Sequence, residues 1–273
     1  MKVLMRVGAG MLMLAVALIG VSFGVLRAEG VGEYDIGDYN NGKHALASET
    51  RKVDAGVSTI DLDGPVDLVL KQGSTPSLVV RAEQNMLARV KTVQNGSSLR
   101  IDAEGHVFHF NRPMRVELTL PSLQQLSMHG SGDSRVSGFS GDKLTLALHG
   151  SGDIRFDGQY QHVNAGLFGS GDLDLKLLNA GDVALDLQGS GDISTSGQSK
   201  SLTARVTGSG DLDAEKLLAD AVKIDVLGSG DSSVYAKQSI AVDLTGSGDI
   251  DVHGNPAQRQ INKLGSGDIS WEN

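Results

Sequence analysis

The sequence predicts an all-β protein, a single-stranded parallel β-helix (β-solenoid) with turns of about 19–20 residues. The tetrapeptide Gly-Ser-Gly-Asp occurs eight times, at offsets of 18 to 20 residues. The residues around each copy alternate between apolar and polar types. A fixed period of this length is typical of stacked repeats, in which each turn buries its apolar face against the next.

Each copy of the tetrapeptide lies between two short strand patterns. After it, apolar residues such as Ile154 and Phe156 flank a polar one, Arg155; before it, apolar residues such as Leu146 and Leu148 recur at every second position. Alternate residues of a strand face opposite sides, so one face of each strand points inward. We therefore expect two strands in each turn, with the tetrapeptide at one corner and a second, less regular corner that tolerates insertions.

The tetrapeptide suits a tight corner because glycine adopts positive φ without steric cost and aspartate accepts hydrogen bonds from nearby backbone N–H groups. Stacked turns would place the aspartates in a file, with neighbours about 5 Å apart. Like charges at that spacing repel unless backbone donors or cations lie between them. Turn hydrogen bonding is the favoured interpretation, and binding of a cation such as calcium is the alternative. The members of this aspartate file are Asp133, Asp153, Asp172, Asp192, Asp211, Asp231, Asp249 and Asp268.

Residues 1–28 are predicted to be a signal peptide or a membrane anchor. Lys2 and Arg6 precede an almost wholly apolar run, residues 7–26, which is typical of an export signal. The run is also long enough to span a bilayer, so an uncleaved anchor is the alternative to the favoured cleaved peptide. Residues 29–50 are polar and rich in Gly and Asn and are predicted to be a linker. The segment therefore predicts export from the cytoplasm.

Residues 51–273 are predicted to form the β-solenoid head domain, with less regular turns at its N-terminal end. Residues 51–126 lack the tetrapeptide but keep the alternation, as expected of terminal turns that must close the end of a column. Asn95-Gly96 suits a hairpin turn, and residues 86–88 suit a short helical piece.

The C-terminal end also departs from the repeat. Arg259 and Lys263 occupy positions where earlier copies carry aliphatic residues, and Trp271 follows shortly after. We expect a polar last rung, with Trp271 lying over the end of the core as a cap, because an uncovered strand edge promotes aggregation.

Composition narrows the range of partners. The formal net charge is −9, which argues against nucleic acid or anionic lipid surfaces. The chain has no cysteine, so it forms no disulfide and carries neither a lipid-modified cysteine nor a thiolate metal site. The expected partner is an envelope protein or a glycan, with membrane contact only through an uncleaved N-terminal segment. No cofactor is predicted.

Two histidines are the other candidate metal ligands. His129 and His149 precede the first glycine of adjacent copies and are expected to project outward, one above the other. A transition-metal site is the less favoured interpretation, because later copies carry other residue types there. His106 and His109 are expected to be ordinary surface or packing residues.

Catalytic patterns are weak. Gly-Ser-Gly is not the nucleophile elbow Gly-x-Ser-x-Gly, and eight identical serines favour hydrogen bonding between turns. Polysaccharide lyases and hydrolases include β-helices with acidic clefts, and Asp174, Asp186 and Asp213 are the candidates for such a role. The chain has only four Tyr and one Trp, which are few for the aromatic lining expected of a sugar-binding groove.

The order of motifs resembles one family. Val-Ser-Thr-Ile-Asp-Leu, Val-Asp-Leu-Val-Leu-Lys-Gln-Gly, Ser-Leu-Arg-Ile and Val-Glu-Leu-Thr-Leu-Pro-Ser-Leu-Gln-Gln-Leu precede the repeated tetrapeptide. From about Val53 to Ser270 the chain resembles the "putative auto-transporter adhesin, head GIN domain" family. The resemblance implies an exported β-helical domain in the periplasm or cell envelope of a bacterium and supplies no catalytic residues. The favoured function is a non-catalytic binding, adhesion or structural scaffold; the alternatives are a carbohydrate-active enzyme and a calcium-stabilised scaffold.

Overall fold

A computed structural model describes residues 45–103 and 114–272. This part of the chain is almost entirely strand, with one short 3₁₀ helix, Leu87–Arg89. The strands are β1 (Leu46–Arg51), β2 (Thr59–Asp63), β3 (Val66–Gln72), β4 (Ser77–Glu83), β5 (Val90–Asn95), β6 (Ser98–Ala103), β7 (Met114–Leu120), β8 (Gln125–Gly130), β9 (Ser134–Gly150), β10 (Ile154–Gly169), β11 (Asp172–Gly189), β12 (Asp192–Gly208), β13 (Leu212–Gly228), β14 (Ser232–Gly246), β15 (Ile250–His253), β16 (Gln258–Gly265) and β17 (Ile269–Glu272).

From β8 onward the strands stack in parallel, each on its equivalent one turn earlier. The first glycines of all eight tetrapeptides pair in register, so the corners form a single line along the column. The predicted fold class, a parallel β-solenoid, is therefore confirmed. Each glycine of this line pairs with the next: Gly130, Gly150, Gly169, Gly189, Gly208, Gly228, Gly246 and Gly265.

The second corner differs from the expectation of two separate strands per turn. Strands β9 to β14 are 15 to 18 residues long and run on through that corner. The register between neighbouring turns shifts there, for example between Gly158 and His162 in β10 and between Leu177 and Ala180 in β11. Such irregularities bend a strand without ending its hydrogen bonding, so each turn from β9 to β14 is one bent strand interrupted only at the tetrapeptide. The last turn is also interrupted at the second corner, between β15 and β16.

The core fills the inside of the column. In β11, Leu173, Leu175 and Leu177 on one limb are at most 1% exposed, and the alternation continues on the other limb. Tyr160 is the largest fully buried side chain, and its hydroxyl donates a hydrogen bond of 2.7 Å to the carbonyl oxygen of Leu123. This bond ties the second corner of β10 to the segment between β7 and β8.

The N-terminal turns are less regular, as predicted, but they do not stack in chain order. β2 and β3 lie beneath β8 and β9, with Gly64 under Gly130. β6 and β7, which come later in the chain, lie on the far side of β2 and β3, again in parallel. Antiparallel strands complete this end: β4 pairs with β7, β1 with β4, and β5 with β6.

The structure also bears on the local predictions at this end. Asn95-Gly96 begins the turn of the β5–β6 hairpin, with Asn95 opposite Ser98 and Gly96 at φ 59°, as predicted. The 3₁₀ helix overlaps the predicted helical piece. Residues 46–50 of the predicted linker belong to β1. The predicted signal peptide or anchor, 1–28, and the rest of the linker, 29–44, lie outside the described residues, as do His106 and His109.

The C-terminal rung consists of β16 over β14 and β17 over β15. Trp271 packs partly buried against the core, and the guanidinium carbon of Arg259 lies 3.9 Å from the centre of its ring. This arrangement matches the expected cap. No helix in the described part of the chain is long and apolar enough to cross a membrane.

Candidate binding surface

The corner glycines are required by close contact between turns. The first glycine of each tetrapeptide has φ between 125° and 152°, a region that other residues rarely adopt. A Cβ on the second glycine would lie 1.9 to 2.1 Å from a carbonyl oxygen of the neighbouring turn. Both positions therefore exclude a side chain, and backbone packing between turns explains the two glycines of the tetrapeptide.

The aspartate file is held by hydrogen bonds between turns. The backbone N–H of Asp249 donates to Oδ1 of Asp231, and that of Asp231 donates to Oδ1 of Asp211, both at 2.8 Å. The bond recurs at 2.7 to 3.3 Å at every described step of the file except the one from Asp172 to Asp192. At that step the pairing of β11 with β12 begins at the two aspartates themselves.

Asp67 extends this file although it belongs to no tetrapeptide. Its Oδ1 accepts the N–H of Asp133 at 3.2 Å, because β3 lies directly beneath the start of β9. The only sequence signal was its position shortly after the Asp63-Gly64 bend. The donors in these bonds belong to the next turn along the column, whereas the sequence had suggested donors within the same tight turn. Across residues 45–103 and 114–272, no three His, Asp or Glu side chains converge as metal ligands do.

His129 and His149 stack face to face on the outside of the column, as their spacing predicted. Their ring centres are 4.6 Å apart with an interplanar angle of 6°, and Phe168 continues the stack at the same distance from His149. The nitrogen lone pairs of parallel rings point side by side, so they do not converge on one ion. Packing against these neighbours removes water from His149 and lowers the pKa of its imidazole, and the charge of His129 lowers it further.

The three acidic residues considered for catalysis are not brought together in one cleft. Asp174 lines a small cleft beside the aspartate file, with Arg155 and Asp192. Asp186 lies on the other limb of the turn, in a different groove. Asp213 is two strands away from Asp174 along the column, since Ser194 pairs with both.

A broad groove lies on the outer face of the limb that precedes the tetrapeptides. It has a volume of about 370 Å³ and crosses five neighbouring strands, β9 to β13. The surface is recessed there because the outward residues are small, as at Ala147, Gly166 and Ala184. Nothing in the sequence indicated this groove, because small outward residues at scattered positions make no pattern.

One aromatic side chain and several charged ones border this groove. The ring of Phe168 leans over Gly166, where a Cβ would lie 2.7 Å from it. On the strands beyond it, Gln188 of β11 donates to Asp186 at 3.2 Å, and Nε of Arg205 in β12 lies 3.7 Å from a carboxylate oxygen of Asp225 in β13. The groove therefore offers an apolar ring on β10 and polar groups of both signs on β11 to β13.

Comparisons with known proteins agree with the fold. None of the curated proteins compared matches the chain. The solved structure of a putative adhesin from Parabacteroides distasonis ATCC 8503 is similar, with a TM-score of 0.79 and 23% identity over 84% of this chain and 98% of the other. Another putative adhesin, from Parabacteroides merdae ATCC 43184, gives 0.74 and 20% over 85% and 98%. A "putative lipid binding protein" from Parabacteroides distasonis ATCC 8503 gives 0.72 and 23% over 85% and 98%.

At these identities the solved structures show the fold alone, whereas the sequence itself carries the family. It matches the family described as "Putative auto-transporter adhesin, head GIN domain" over residues 57–256, which cover most of the solenoid and seven of the eight tetrapeptides. The chain belongs to this family.

Proposed function

We propose that the chain is a non-catalytic scaffold of the bacterial cell envelope that binds a protein or glycan partner through the groove on β9 to β13. The observation that carries the proposal is the groove itself, which crosses five neighbouring strands on the outer face. A rigid parallel sheet forms its floor, so binding requires little ordering of the protein. The family description, which names an adhesin, points to the same class of role.

The shape of the groove fits an elongated partner. Five strands spaced by about 4.8 Å give it a length of roughly 19 Å along the column. Phe168 supplies an apolar ring of the kind that anchors partners at binding surfaces, and the paired charges at Arg205 and Asp225 supply polar contacts without a net charge of one sign. Such a surface suits a neutral or mixed-charge partner better than a highly charged one.

Export is part of the proposal. Residues 1–28 deliver the chain to the periplasm or cell envelope as a cleaved signal peptide, or hold it there as an anchor. Residues 29–44 then connect that segment to the described domain. Mass determination of the N-terminus of the chain isolated from cells distinguishes the two alternatives.

The test compares binding by groove variants. Phe168→Ala and Arg205→Ala, singly and together, are assayed on glycan arrays and on blots of separated envelope proteins. The matched control is Leu178→Ala, which removes another exposed apolar side chain, 66% exposed, from outside the groove. We expect the double variant to weaken binding at least tenfold and the control to leave it unchanged.

Two outcomes would contradict the proposal. Equal binding by wild type and both groove variants would place the partner elsewhere on the column. Cleavage of an envelope polysaccharide that Asp174→Asn abolishes would favour the carbohydrate-active alternative.

A further inference from the structure

In the part of the chain that the structure describes, the C-terminal rung ends at a sheet edge that pairs with no further strand. Among the described residues, β16 pairs only with β14 and β17 only with β15. Their outward-facing backbone N–H and C=O groups are therefore available to another strand, which is the usual starting point of edge-to-edge association. The opposite end of the column is completed by the antiparallel strands β1, β4 and β5.

The last rung differs from the earlier ones in the side chains that cover the core. Arg259 lies in register over Ile240, and Lys263 lies over Leu244. The residues beneath are at most 3% exposed, so the last rung seals the core although β16 is itself exposed on both faces. From the second tetrapeptide to the seventh, the equivalent positions are all aliphatic.

The guanidinium group of Arg259 is fixed across the end of the core. Its Nε donates to the carbonyl oxygen of Pro256 and its Nη2 to Oδ1 of Asn255, both at 3.0 Å. The same group stacks on the ring of Trp271, which belongs to the opposite limb of the turn. Arg259 is thus held over the core by three contacts instead of extending into solvent.

The ammonium group of Lys263 has an ionic partner at the adjacent corner. Its Nζ lies 3.1 Å from Oδ1 of Asp268, the last member of the aspartate file. Both cations therefore stand in the inward row of the edge strand, where a pairing strand from another molecule would have to continue the core.

We propose that Arg259 and Lys263 keep a second copy of this chain from pairing with the open edge of β16. An antiparallel pairing of two β16 strands that is centred on Ile261 places Arg259 of each copy opposite Lys263 of the other. Like charges directly opposite each other destabilise a strand pair. Without them, Ile261, which is 43% exposed, would meet its equivalent across the pair.

The test is the mass of charge-neutral variants in solution. Arg259→Met with Lys263→Met keeps the long apolar stems that cover the core but removes both charges. We expect this double variant to form a species of twice the monomer mass in sedimentation velocity at micromolar concentrations, whereas wild type sediments as the monomer. Arg259→Lys with Lys263→Arg keeps both charges and should remain monomeric.

A matched control tests whether the effect depends on position. Arg205→Met with Lys223→Met makes the same change of charge on the outer face of β12 and β13, and it should stay monomeric. Circular dichroism and thermal melting establish that each variant is folded. The chain has no cysteine, so Ile261→Cys in the Met double variant should form a disulfide-linked dimer on oxidation, while Ile261→Cys alone should not.

Two results would overturn the proposal. One is a folded Met double variant that stays at the monomer mass and, when it also carries Ile261→Cys, forms no disulfide-linked dimer. The other is association of the Arg205 and Lys223 control to the same extent, which would make the loss of charge anywhere on the surface sufficient.

Discussion

A Cβ atom on Gly152 would lie 2.0 Å from the carbonyl oxygen of Gly132, its equivalent in the preceding turn. The same contact recurs at the second glycine of every tetrapeptide, so the corners are packed backbone to backbone along the column. The repeat of the sequence is thus a repeat of one steric requirement, which each turn imposes on the next.

Gly152→Ala should destabilise the fold. The added methyl group meets a carbonyl oxygen that is itself held in the stack, so the two turns must separate locally, at a cost of about 2–3 kcal/mol. Urea denaturation measures the loss. Gly56→Ala is the matched control, because a Cβ there meets nothing within 4 Å and φ is not positive. Equal denaturation midpoints for the two variants would contradict the steric account of the tetrapeptide.

Asp231→Ala should cost about 0.5–1 kcal/mol, because the N–H of Asp249 loses the carboxylate that accepts it at 2.8 Å in a site open to water. Asp231→Asn keeps an oxygen acceptor at the same place and should cost less. Thermal unfolding in the presence and absence of a chelator provides the control for calcium. We expect no change with the chelator; a large fall in Tm that Asp231→Asn also produces would favour cation binding by the aspartate file.

The repeating part of the fold could be predicted because every turn carries the same pattern of alternating apolar residues and corner glycines. Alternation places Leu173 and Leu175 inside, and the glycines fix the corner, without reference to the rest of the chain. The stacking order at the N-terminal end could not be predicted in this way. Leu99 and Val116, which come later in the chain, lie farther from the repeats than Ile60 and Leu68, and no local pattern records which turn lies on which.

The candidate sites, like the fold, could be predicted only where consecutive copies repeat the same pattern. The aspartate file and the His129–His149 stack follow from equal spacing in consecutive copies. The groove exists because the side chain of Ala147 is small, because Gly166 has none, and because the ring of Phe168 leans over Gly166. These features are properties of neighbouring turns considered together, so the sequence of any single turn does not reveal them.

Tyr160→Phe should destabilise the protein by about 1–2 kcal/mol, because the carbonyl oxygen of Leu123 loses its buried donor.

Burial raises the pKa of Tyr160 to about 12, above the value of about 10 for an exposed phenol. The stability linked to this group is therefore fully present below pH ~10 and is lost as pH rises from there through the folded-state pKa. The difference in Tm between wild type and Tyr160→Phe should shrink over that range. A difference that stays constant up to pH ~11.5 would contradict the raised pKa.

Acid should weaken the stack that contains His149. The pKa of this imidazole is lowered, chiefly because its neighbours exclude water and also because His129 carries like charge when protonated. The folded state therefore binds its proton less readily than the unfolded state, and stability falls as pH drops below the ordinary histidine value of about 6.5 toward the lowered pKa. His149→Phe keeps an aromatic ring against Phe168 and should remove this part of the acid dependence, as measured by thermal unfolding between pH 7.5 and pH 4.5.

His129→Gln removes the neighbouring charge, and an NMR titration of His149 in that variant should give a higher pKa than in wild type. An identical titration in both proteins would mean that His129 exerts no electrostatic influence on the imidazole stacked 4.6 Å from it.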